Sequence, residues 1–120
     1  MKPTILVIED NEQNLYLITF ILEKNEYQVV QARDGREGIE LAGRVRPALI
    51  LLDIQLPVMD GYAVARELRN NPGLADIPIV AVTSYAMVGD RERILAAGCA
   101  GYIEKPINPD TFIAEIEQYL

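Results

Sequence analysis

Five short apolar runs recur along the chain, and each is followed by a longer stretch with apolar residues at helical spacing. This alternation constrains the fold more than any other feature of the sequence. The runs TILVI, ALILL and IPIVAV lack the polar alternate residue of a strand with one wet face. Strands apolar on both sides require helices on both sides, which is the pattern of a buried parallel sheet. The predicted strands are 4–8, 27–31, 48–52, 77–82 and 100–103. The predicted helices are 11–24, 35–46, 61–70, 86–97 and 109–120.

Local signals support these boundaries. Asp34 can cap the second helix, with Glu37 three residues on as its capping-box partner, and Pro47 stops that helix. Asp53 to Asp60 (DIQLPVMD) reads as a loop around Pro57, and Asn71-Pro72-Gly73 as a turn. Pro78 sits at a strand start, where a missing N–H is tolerated. Gly98 suits the left-handed residue that ends a helix. Asn108-Pro109 reads as a cap followed by proline in the first helical position. The apolar residues Phe112, Ile113 and Ile116 read as core, as does Cys99.

Composition narrows the chemistry. The 120 residues suit one domain, 1–120, and half of them are hydrophobic, enough for a core. Eleven basic against eighteen acidic residues leave a net charge of −7, which argues against direct nucleic-acid binding. No apolar run approaches the ~20 residues of a membrane span. The single cysteine cannot form an internal disulfide, so a reducing cytoplasm is the expected location. Histidine is absent, which removes Ser-His-Asp triads and His-ligated zinc from consideration.

In open parallel sheets the ligand site lies beyond the carboxyl ends of the strands. The residues there are Glu9 and Asp10, Asp53, Thr83 and Ser84, and Lys105. Taken singly, Asp10 reads as a helix cap as readily as a ligand, and Thr83 as a satisfied strand-end hydroxyl. Together they form a set. Two carboxylates 4 Å apart repel by about 4 kcal/mol at an effective dielectric near 20. Protonation, a cationic partner or a hard divalent ion such as Mg²⁺ relieves that repulsion. Carboxylates, a cation and a lysine suit phosphoryl transfer, with one carboxylate as nucleophile.

From end to end the chain resembles the receiver domain of two-component response regulators. The matching residues are Glu9-Asp10, Asp53 in LLDIQLPVMDG, Thr83 in VAVTS and Lys105 in YIEKPI. The stretch MVGDRERILAAGCAGYIEKPI is further similar to stand-alone regulators of the DivK type. The resemblance implies an α/β, flavodoxin-like, doubly wound sheet of order 2-1-3-4-5 with five helices in three α/β/α layers. It implies Asp53 as phosphoacceptor from a sensor histidine kinase or histidine phosphotransfer protein. It implies Mg²⁺, with Mn²⁺ as a substitute, held by Asp10, Asp53, the backbone carbonyl of Gln55 and, through water, Glu9. Lys105 would contact the phosphoryl oxygens, and Thr83 and Tyr102 would act as a switch pair altering the surface of the fourth helix, fifth strand and fifth helix. A cis Lys105–Pro106 peptide is implied as well.

Within that family Ser84 stands where a small apolar residue is common, and Gln55 and Tyr85 occupy variable positions flanking the phosphoryl group. A helix ending at Leu120 leaves no residues for an output domain, so action through a downstream protein target is expected, as a monomer or weak dimer. Slow Mg²⁺-dependent self-phosphorylation and self-dephosphorylation are implied rather than enzymatic turnover. Two other functions compete. A phosphatase of the haloacid-dehalogenase type would carry a second Asp at position 55, where Gln55 stands. A flavodoxin-like electron carrier would carry a Ser/Thr phosphate loop after the first strand, where EDNEQN stands.

Overall fold

The computed structural model describes residues 2–84 and 87–120. Five strands, β1 (Thr4–Ile8), β2 (Gln28–Ala32), β3 (Leu49–Asp53), β4 (Ile79–Thr83) and β5 (Gly101–Glu104), alternate with five helices. The helices are α1 (Glu12–Lys24), α2 (Gly35–Val45), α3 (Gly61–Arg69), α4 (Val88–Ala96) and α5 (Phe112–Glu117). The sheet is wholly parallel in the order β2-β1-β3-β4-β5, the predicted flavodoxin-like arrangement.

The period-two alternation of each strand divides the core. Leu6, Ile8, Ile50 and Leu52 point to one side, where they meet Ala42 of α2, Val64 and Leu68 of α3 and Ile94 of α4. Ile5, Val7, Leu49 and Leu51 point to the other, against Leu15, Ile18 and Leu22 of α1 and Phe112 and Ile116 of α5. Both faces of β1, β3 and β4 are therefore dry, which is why their sequences show no polar alternate. Phe112 and Ile116 are fully buried, and Cys99 is buried with its thiol pushed up to about 11 by desolvation.

Several boundaries differ from the sequence reading, each for a local reason. Asp53 and Thr83 are the last residues of β3 and β4 rather than loop residues, because Asp53 still pairs with Val82 and Thr83 with Glu104. Pro78 lies just before β4, where its carbonyl accepts the Ile50 N–H at 3.0 Å. Asp34 caps α2 through the Glu37 N–H at 2.8 Å, but the Glu37 carboxylate returns to the Arg33 N–H, one residue before the cap. The Asn108 side chain accepts the Asp110 N–H at 3.0 Å and closes a turn, so regular helix starts only at Phe112 and ends at Glu117. Helix α4 starts at Val88; Ala86, predicted to open it, lies outside the described residues. Gly98 adopts φ 103°, the left-handed conformation expected of it.

Candidate functional site

The C-terminal tips of β1 and β3 lie side by side because these strands are hydrogen-bonded neighbours at the centre of the sheet. Glu9 follows β1, Asp53 ends β3, and both are buried at 1% and 3% exposure. Asp10 is exposed beside them. One carboxylate oxygen from each of Glu9, Asp10 and Asp53 falls within 4.8 Å of the others. Lys105, just past β5, reaches across the sheet edge. Its Nζ lies 3.1 Å from Glu9 Oε1 and 3.4 Å from Asp53 Oδ1. The Lys105–Pro106 peptide is cis.

Backbone donors hold the acids in place. Asp53 Oδ1 accepts the Gln55 N–H at 2.9 Å, and Glu9 Oε2 accepts the Asn11 N–H at 3.2 Å. Gln55 also reaches over the sheet edge, where its Oε1 accepts the Ser84 N–H at 3.3 Å. The loops after β3 and β4 are thereby tied together next to Asp53. Gly61 supports the arrangement from behind. Its N–H donates to the Ile54 carbonyl at 3.0 Å, and a Cβ there would lie 2.6 Å from the Asp53 carbonyl oxygen. Only glycine lets α3 start this close to the strand tip.

The electrostatics follow from burial. Desolvation pushes the Glu9 carboxyl up to about 7, and the hydrogen bond and negative charge of Asp53 add to the rise. The Asn11 N–H and the Lys105 ammonium oppose it. One ammonium facing three carboxylates leaves the cluster short of positive charge. Among the described residues, Glu9 Oε1 is buried with no hydrogen-bond partner and meets the Lys105 ammonium as its one cation. Three hard oxygen donors with an under-satisfied buried oxygen among them fit a small divalent cation.

Thus Glu9, Asp10, Asp53 and Lys105 are brought together as expected. Thr83 is buried at the tip of β4, the next strand. Tyr102 lies further from the tip, half-buried on β5 opposite Ala81, with the Arg91 guanidinium 5.5 Å above its ring. Tyr85 lies outside the described residues. The sequence reading missed the Gln55–Ser84 tie and the Asn11 contact to Glu9. Only the turn-forming character of Asn11 hinted at the latter.

Residues 5–117 match the response regulator receiver domain family. The chain belongs to that family. Over 120 residues it is 43% identical to the polar-differentiation response regulator DivK of Brucella anthropi, covering all of this chain and 98% of that one. Its DivK counterpart in Brucella ovis is 42% identical with the same coverage. Among solved structures, the chemotaxis response regulator CheY4 of Vibrio cholerae superposes with TM-score 0.95 at 26% identity, with full coverage of both chains. The receiver domain of the sensor histidine kinase PA1611 from Pseudomonas aeruginosa superposes with TM-score 0.91 at 35% identity, covering 99% of this chain and 98% of that one. That structure carries a magnesium ion coordinated in its active-site cleft. Receiver domains are signalling switches rather than turnover enzymes. No helix among the described residues is long and apolar enough to cross a membrane.

Proposed function

We propose that this receiver domain is a phospho-switch of a two-component phosphorelay, with Asp53 as the phosphoacceptor. The observation that carries the reading is the convergence of Glu9, Asp10 and Asp53 within 4.8 Å, with Lys105 against two of them. A sensor histidine kinase or a histidine phosphotransfer protein supplies the phosphoryl group. One Asp53 carboxylate oxygen forms the new bond to phosphorus as the phosphorus–nitrogen bond of the donor breaks. The electron pair leaves on the donor imidazole, which takes up a proton.

Asp10, Asp53 and the Gln55 carbonyl would hold Mg²⁺ directly and Glu9 through water, with Mn²⁺ as a substitute. When bound, the ion neutralises charge on the transferring group. Lys105 is already aimed at the Asp53 oxygens and supplies the second positive charge. Asp53 is only 3% exposed, so the Gln55–Ser84 tie beside it sets how readily a donor, or water, reaches it. Slow self-phosphorylation from small acyl phosphates and slow self-dephosphorylation follow from this limited access.

Phosphorylation replaces the single negative charge of the Asp53 carboxylate with a group carrying about −1.5 to −2. Thr83, at the tip of the adjacent strand, donates its hydroxyl to the phosphoryl group, and Tyr102 repacks beside β4. Arg91 on α4 lies over that ring, so the change reaches the surface of α4, β5 and α5 and a downstream protein target. The proposed setting is the cytoplasm, with the chain a monomer or weak dimer.

Incubation with Mg²⁺ and a small acyl phosphate, followed by intact-mass measurement, tests the reading. One metastable phosphate adduct is expected, absent from Asp53→Asn. Repeated turnover of generic phosphoesters without an adduct would point to a phosphatase instead.

A further inference from the structure

A groove of about 580 Å³ opens between the start of α2 and the β3–α3 loop, lined by Arg33, Asp34, Gly35, Arg36, Pro57, Val58 and Met59. The first turn of α2 packs directly on the loop between β3 and α3. A Cβ at Gly35 would lie 3.3 Å from the Met59 carbonyl oxygen and 3.4 Å from its Sδ. Val58 stands fully exposed on the rim with φ 64°, a conformation that β-branched residues rarely adopt. The backbone thus holds an aliphatic side chain out in water where its own preference is against doing so, as is common at ligand clamps and switch regions.

In a molecule of net charge −7, two guanidiniums outnumber one carboxylate among the residues that line the groove. Its one acid, Asp34, is committed through Oδ1 to the Glu37 N–H at 2.8 Å. The guanidiniums are held by glutamates of neighbouring helices, Arg33 by Glu12 at 2.7 Å and Arg36 by Glu67 at 3.5 Å. All four side chains are exposed, so these pairs are weak and exchangeable. The two glutamates occupy the places that incoming carboxylates would take.

We infer that this groove docks an acidic segment of a partner protein, whose carboxylates take Arg33 and Arg36 and whose apolar side chain packs on Pro57, Val58 and Met59. A small anion would satisfy the guanidiniums and leave the apolar wall bare. The groove is walled by the same loop that leaves Asp53 and carries Gln55, yet binding there does not require phosphorylation.

The probe is the acetylated, amidated peptide Glu-Glu-Leu-Glu-Glu, titrated into the full-length, unphosphorylated, ¹⁵N-labelled chain. Saturating amide shifts are expected at Gly35, Arg36, Val58 and Met59. Arg36→Glu weakens the binding about fivefold or more. Val58→Asn weakens it too, because asparagine tolerates the left-handed backbone but lacks the aliphatic surface. Unchanged shifts elsewhere in the spectrum show that both variants are folded. The inference is overturned if the Lys-Lys-Leu-Lys-Lys peptide binds as well, if neither variant weakens binding, or if no shifts occur. It is equally overturned if inorganic phosphate or phosphatidylserine vesicles reproduce the same shifts.

Discussion

Glu9 is the residue in which burial and charge conflict most openly. Its carboxyl titrates near 4.5 in an ordinary setting and about 7 in the folded chain, because desolvation and Asp53 both disfavour its charge. Between those values the folded state holds a proton that the unfolded state has released. Without a metal, the contribution of Glu9 to stability is therefore greatest below about pH 4.5 and falls as pH rises through about 7. The size of the loss is roughly 3 kcal/mol. Urea midpoints measured in a chelator across this range should show that decline, and Glu9→Gln should flatten it. A divalent ion requires the deprotonated carboxylates, so Mg²⁺ should stabilise the chain more at pH 8 than at pH 6. A Mg²⁺ effect that is larger at low pH would contradict this reading of the site. The residue types of the cluster were legible in the sequence because the strand-end rule selects them. The Glu9 shift was not, since it depends on which oxygens are dry.

At the scale of elements, strands and helices were legible wherever periodicity met a local punctuation mark. The Asp60 and Asn11 caps form as short polar side chains before helical runs should, accepting the N–H groups of Ala63 and Asn14 at 2.9 Å each. What periodicity could not show are ties between elements. Arg69 is the clearest case. From the end of α3 its guanidinium donates to the carbonyls of Ala75, Ile77 and Gly98, joining α3, the approach to β4 and the end of α4. An arginine in an amphipathic helix carries no mark of such partners. Arg69→Met strands three carbonyls and should destabilise the fold by about 2–3 kcal/mol in urea denaturation. Glycines give a contrast. Gly61→Ala would drive a Cβ to 2.5 Å from the Ile54 Cα and should cost about 1–3 kcal/mol. Gly43, inside α2, has nothing within 4 Å of its would-be Cβ, so Gly43→Ala should stabilise by about 0.5–1 kcal/mol.

For the whole molecule, the two-sided core fixes where chemistry can occur. Helices cover both faces of the sheet, so polar side chains gather at the strand tips. The acids that converge there are separated in sequence by α1, β2 and α2, and parallel pairing of β1 with β3 brings them together. This part of the site was readable from strand order, whereas the groove between α2 and the β3–α3 loop was not. That groove depends on the exposed, left-handed Val58, which no hydropathy pattern marks.

On the proposed function, this convergence makes Asp53 the phosphoacceptor. Its most direct measurement is borohydride trapping of the chain after exposure to Mg²⁺ and a small acyl phosphate, with peptide sequencing by mass spectrometry. Reduction of an acyl phosphate to homoserine is expected at position 53 alone, dependent on Mg²⁺. Homoserine at position 10 or 60, or none anywhere, would contradict it.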